Sequence, residues 1–138
     1  MIYYNNETSF ELENPKEITN WITSVITNEN CNLEEVSYIF CDDDYLLKLN
    51  IKHLNHDTLT DIISFDYSVG SVISGDIFIS IERVKENASK FKVSFFEELH
   101  RVIVHGILHY CGYKDKSIED KKEMRSKEDY YLSLRNFN

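Results

Sequence analysis

The order of elements in this sequence predicts one sheet domain of the α/β or α+β class, with a histidine-bearing helix packed on the sheet. Three features carry that expectation. Short apolar runs rich in β-branched and aromatic residues alternate with segments of helical period, in the order β-α-β-α-β-β-α-α-α. Capping residues mark the helix starts at several junctions. The chain has 138 residues, 42% hydrophobic and 28% charged, enough for one sizeable core and too short for two comfortable ones. Residues 1–138 are therefore expected to form a single domain, since one proline and four glycines leave little material for a linker.

Each element has its own justification. Ile2-Tyr3-Tyr4 reads as a short first strand. Asn14-Pro15 supplies an N-cap and a proline at the first helical position. Ile18, Ile22, Val25 and Ile26 then give one apolar face to a helix ending near Asn28. Val36 to Cys41 is β-rich and reads as a buried strand. Asp42, Asp43 and Asp44 offer a cap and favourable first-turn charges to a helix carrying Leu46, Leu47, Leu49 and Leu54. Asp61 to Tyr67 and Gly75 to Ser80 are two strands, joined through Gly70-Ser71 and Ser74-Gly75 by a hairpin with a short flap. A helix from about Glu82 to Phe91 follows. Ser94 with Glu97 forms a capping box that opens the next helix, and Ser117 with Asp120 opens a last one, running to about Leu134.

The helix opened by Ser94 carries the chemistry. His105 and His109 are four residues apart, on one helical face, so both rings can reach one cation. Gly112 can take the left-handed conformation that ends a helix and turns the chain back, which would bring Asp115 round as a third ligand. Two neutral nitrogens and one carboxylate oxygen, with a position left for water, make up a catalytic zinc site, whereas structural sites are closed by four Cys or His ligands. The spacing is also the frame of the metzincin proteases. Those enzymes carry a glutamate base directly after the first histidine, and here that residue is Gly106, so peptide hydrolysis is disfavoured. Cys111, two residues past His109, is read as a small core residue, and His100 as structural or surface because it points off the ligand face.

Composition bounds the setting. No apolar run is long enough to cross a bilayer, and Met1 to Glu7 lacks the basic-then-apolar pattern of a signal peptide. Cys31, Cys41 and Cys111 form no CxxC pair, which suits reduced thiols and a cytoplasmic location. A net charge of −9 opposes approach to phosphate. Lys114, Lys116, Lys121, Lys122, Arg125 and Lys127 cluster after the metal motif, but Glu119, Asp120, Glu123, Glu128 and Asp129 are interleaved, as on a solvated helix face.

Three blocks together resemble the YbeY family. They are Leu49-Asn50 with His56 to Phe65, then Gly75 to Ser80, then His105 to Asp115. The resemblance covers most of the chain, with the metal motif its most specific part. It implies an α+β fold: a single domain with a mixed four-stranded sheet flanked by helices and a zincin-like metal helix. It further implies one zinc ion per chain and a single-strand-specific, metal-dependent endoribonuclease. Such an enzyme would act in late maturation of the 16S rRNA 3′ end and in ribosome quality control. Its partners would be rRNA and the small ribosomal subunit, with no membrane and no DNA. The sequence departs from the family pattern twice. Asp115 stands where a third histidine is usual, and its negative charge would make a bound water less acidic. Leu54 stands where an arginine is common, and Lys52, His53 or His56 are the nearby cations. Spacing identifies no general base. Asp61 and Asp76, at candidate strand ends, and Asn50 are the cleft candidates. A metal-stabilised, non-catalytic ribosome-assembly factor is the alternative reading.

Overall fold

The computed structural model describes residues 1–54 and 60–137, with Leu54 as backbone only. His56 and the Leu54 side chain, both singled out above, lie outside the described residues. The elements are β1 (Ile2–Asn6), α1 (Pro15–Asn28), β2 (Asn32–Cys41), α2 (Asp43–Leu54), β3 (Ile62–Asp66), β4 (Val72–Ser80), α3 (Ile81–Phe91), α4 (Phe95–Tyr110) and α5 (Ile118–Ser133). The four strands form one sheet in the order β1-β2-β4-β3. β1 runs parallel to β2 and β2 parallel to β4, while β3 is antiparallel to β4. The sheet is therefore mixed and the fold α+β, as the sequence leads one to expect.

Alternation along the strands divides the sheet between two layers. Val36, Tyr38 and Phe40 of β2 and Ile73, Ile77 and Ile79 of β4 join the main core, with residues of α1, α3, α4 and α5. Cys41, Phe65 and Phe78 belong to a smaller cluster with Leu46 and Leu49 of α2. Helix α4 is fixed over the sheet by hydrogen bonds as well as burial. The Tyr38 hydroxyl donates to the Ile103 carbonyl oxygen at 2.9 Å. The Tyr110 hydroxyl reaches the carbonyl oxygens of Phe65 at 3.0 Å and Asp76 at 3.1 Å. Tyr110 also explains Gly75, because a Cβ there would overlap both its hydroxyl and the Phe65 carbonyl oxygen.

Three local expectations need correction. Asn14 adopts a left-handed conformation (φ 58°, ψ 45°) and makes no side-chain cap hydrogen bond. The backbone closes that helix start instead, Ile18 N–H donating to the Asn14 carbonyl at 2.9 Å. β2 begins at Asn32, not Val36, because Asn32 and Leu33 pair with Val72 and Ile73 across an irregularity at Leu33/Glu35; tertiary pairing overrides their weak local preference. β4 begins at Val72, so the hairpin closes tightly around Gly70 (φ 61°) with Val69 bridged to Val72, and no flap intervenes.

Candidate metal centre

Helix α4 starts where its capping residue dictates. Ser94 Oγ accepts from the Glu97 N–H at 3.0 Å, and Glu97 and Glu98 place acidic charge in the first turn, which the helix dipole favours. Val102, Ile103, Val104, Ile107 and Leu108 are buried. The remaining stripe carries His105 and His109, half-buried side by side with ring centroids 4.6 Å apart. Gly106 is buried against the side chains of Ile77 and Ile62, where even a Cβ would crowd Ile77 Cδ1 at 2.9 Å. The backbone at that position is pressed onto the sheet, so a protease-type glutamate has no room there.

The helix ends in a Schellman turn that delivers the third member of the cluster. Gly112 (φ 107°) donates to the His109 carbonyl at 3.0 Å, and Tyr113 N–H reaches back to the Leu108 carbonyl at 3.0 Å. Tyr113 then anchors the turn, its hydroxyl donating to Glu29 Oε1 at 2.7 Å. Asp115 is thereby returned to the helix, its Oδ2 lying 3.7 Å from His105 Nε2. One ligand atom from each of His105, His109 and Asp115 lies within 4.8 Å of the others.

The outer nitrogens of both rings are occupied. His105 Nδ1 is 2.6 Å from Glu128 Oε2, and His109 Nδ1 is 3.0 Å from the Tyr113 carbonyl oxygen. Hydrogen bonds of that kind fix the tautomer that leaves Nε2 as the ligand atom. Glu128 is itself buried and held by Arg101, whose Nη1 donates to Glu128 Oε1 at 2.9 Å. Arg101 also pairs with Asp129 at 2.7 Å. The donor set thus fits a divalent cation: two imidazole nitrogens freed by outer hydrogen bonds and one anionic oxygen facing open space. In the ion-free protein, burial would lower the His105 pKa, but the Glu128 hydrogen bond and charge, with Asp115 and Asp61, raise it. Burial and the neighbouring His105 lower that of His109.

The cluster opens on a cleft of about 610 Å³ between α4, α5 and the start of β3, lined also by Thr60, Asp61, Glu98, Arg101, Lys121 and Arg125. Of the three cleft candidates, Asp61 is here. Burial raises its pKa, partly offset by His105. Asp76 is not, because it shares the β4 face of Phe78, opposite the one that Ile77 presents to the core. Asn50 is buried in α2 and likewise does not line this cleft. Glu98 was not singled out from sequence. It is buried beside the cleft, with its pKa raised by burial and by Asp61. His100 is fully buried rather than on the surface, its Nδ1 accepting from Arg135 Nη1 at 2.7 Å.

A mixed sheet capped by a helix that presents two imidazole nitrogens and a carboxylate to an open cleft fits the framework of a metal-dependent hydrolase. Comparison with known proteins narrows that class. A sequence profile of the family described as endoribonuclease YbeY matches residues 2–136. The chain is 61% identical over 134 residues to an endoribonuclease YbeY of Flavobacterium johnsoniae, covering 97% of this chain and 96% of that protein. It is 49% identical to one of Christiangramia forsetii, covering 96% and 93%. A solution structure of a Thermotoga maritima protein superimposes with a TM-score of 0.69 at 27% identity, covering 96% of this chain and 87% of that one. The chain belongs to the endoribonuclease YbeY family.

Proposed function

We propose that this chain is a metal-dependent endoribonuclease of rRNA processing. Its substrate is single-stranded RNA, notably the 3′ end of the 16S rRNA in late maturation and in ribosome quality control. The observation that carries the reading is the convergence of His105, His109 and Asp115 on an open cleft that also holds the half-buried carboxylate of Asp61. Relatives covering nearly the whole chain are described as endoribonucleases, which favours cleavage over a non-catalytic assembly role. Zinc suits the two-nitrogen, one-oxygen donor set. No helix among the described residues is long and apolar enough to cross a membrane, which accords with work on ribosomes in the cytoplasm.

His105 and His109, through Nε2, and Asp115 would hold the ion. When bound, it supplies Lewis acidity toward a phosphoryl oxygen and makes water more acidic. The chain's own groups do the rest. Glu128 and the Tyr113 carbonyl keep the two rings in register. Asp61, whose pKa burial raises, would in its ionised form take the proton from a water attacking phosphorus and pass it to the ribose oxygen as the bond from phosphorus to that oxygen breaks. The small ribosomal subunit presents the RNA to a protein whose own charge is −9.

Digestion of a single-stranded 16S 3′-end fragment and its duplex form, with and without small subunits and chelator, tests the reading. Cleavage of the single strand, stimulated by subunits and lost with chelator, is expected. Equal cutting of the duplex, or cutting unaffected by chelator, contradicts it.

A further inference from the structure

We propose that Lys121 and Arg125 of α5 form a phosphate-binding rail on the rim of the cleft, gripping the RNA backbone beside the scissile bond. The proposal rests on the endoribonuclease reading and supplies the positive charge that such a substrate needs.

The cleft is otherwise acidic. Asp61, Glu98, Asp115 and Glu128 all line it, in a chain of net charge −9. Of its three cationic lining residues, Arg101 is already neutralised by Glu97, Glu128 and Asp129. Lys121 and Arg125 are different. They lie four residues apart on one helical face, both are exposed, and both point into the cleft that holds the metal cluster. Among the described residues neither makes an ion pair. The natural helical partner of Arg125 is Asp129, one turn on, but Asp129 is bound at 2.7 Å by Arg101. The interleaved acids that make this run look like an ordinary solvated face thus leave these two cations without a salt bridge among the described residues, although Arg125 feels the charge of Glu98 across the cleft.

A second observation extends the rail. Lys121 and Arg125 also line a shallow groove of about 580 Å³ along α5, with Ile118, Lys122, Ser126 and Asp129, whose carboxylate is held by Arg101. The two side chains are therefore the shared wall between the metal-bearing cleft and a surface track leading away from it. Lys122 adds a third charge along that track. A strand with one phosphate at the metal cluster would pass neighbouring phosphates over this wall. There an arginine fork can grip two oxygens at once and a lysine acts as a mobile point charge. Duplex RNA is stiffer and wider, and would not follow the step from cleft to groove.

The test is affinity for a fluorescent single-stranded 16S 3′-end oligonucleotide. It is read by anisotropy in chelator across a salt series, in wild type, Lys121→Ala/Arg125→Ala, and a Lys16→Ala/Lys48→Ala control away from the cleft. All four residues are exposed, so the fold is retained. Each phosphate contact contributes roughly 0.7 to the slope of log affinity against log salt for single strands. The rail variant should lose about 1.4 of that slope and about 25-fold in affinity at 0.1 M salt. The control should match wild type. With metal loaded, the rail variant should show a raised KM with kcat and metal content retained. If wild type binds and cuts while the rail variant keeps its slope and affinity, the rail is refuted and the nuclease reading stands. A fall in kcat at unchanged KM also refutes it, by placing these residues at the reacting phosphate. If wild type neither binds nor cuts RNA, the nuclease reading itself fails, and the rail with it.

Discussion

Replacing Glu128 by Gln should cost the cluster its metal affinity although Glu128 touches no metal. Its Oε2 lies 2.6 Å from His105 Nδ1 and its Oε1 2.9 Å from Arg101 Nη1. A guanidinium has only donors, so in the variant the amide oxygen must face Arg101. The amide NH2 then faces His105 Nδ1, which can only accept if the ring proton moves to Nε2. Nε2 is the nitrogen aimed toward Asp115, so the variant favours the tautomer with no lone pair for an ion. Loss of an outer hydrogen bond of this kind costs about 10–100-fold in metal affinity. The ion-free protein should lose about 1.5–3 kcal/mol with the buried charge-assisted bond. A pH signature accompanies it. Glu128 raises the His105 pKa above its unfolded value. The bond's charge-assisted stability is therefore full below the unfolded pKa and is lost as pH rises through the folded one. That slope should flatten in the variant. Competition against a chromophoric zinc chelator measures the affinity, and urea unfolding of the ion-free protein at several pH values measures the rest. Affinity unchanged within about twofold would refute the tautomer argument.

Other outcomes follow from the same structure. Burial, with Arg135, lowers the His100 pKa to about 4, so the unfolded chain takes up a proton that the folded one refuses. Stability should fall by about 3 kcal/mol as pH drops from about 6.5 to 4, and His100→Gln should remove that part of the slope in urea titrations. Gly75→Ala forces a Cβ onto the Phe65 carbonyl and the Tyr110 hydroxyl, and should destabilise by about 3 kcal/mol in chemical unfolding; a loss below about 0.5 kcal/mol would mean the strands yield there. Asp115→His should keep the metal, by elemental analysis, while its neutral third ligand shifts the pH-rate profile toward acid. An unchanged profile, with chemistry rate-limiting, would remove the metal's water from the reaction.

What was legible in the sequence was what local geometry fixes. The i, i+4 histidines, the glycine turn and Asp115 lie within one helix and its C-terminal turn, so their spacing alone brought them together. The Ser117–Asp120 capping box formed in full, while at Ser94 only the serine half is made. Residues that reach the centre from distant parts of the chain were less legible. Asp61 could be named as a cleft candidate from its place at a strand end. Glu98, and Glu128 arriving from α5, were not singled out, because spacing carries no record of their approach. Asp76 shows how parity could have helped. It neighbours Ile77 on one strand, so it had to face away from the layer that holds Ile77. The meaning of the basic run depended on Arg101 capturing Asp129, a tertiary contact that no helical periodicity contains.

The central claim is that His105, His109 and Asp115 hold one metal ion and that RNA cleavage depends on it. The most direct test measures bound metal and the initial rate on single-stranded 16S 3′-end RNA in the same preparations. Wild type, His105→Ala, His109→Ala and Asp115→Ala would be compared across partial chelation. The account predicts near one ion per wild-type chain, its loss in His109→Ala, and rates that fall to zero in proportion to metal. Full occupancy in both His105→Ala and Asp115→Ala, or cleavage persisting in metal-free His109→Ala, would contradict it.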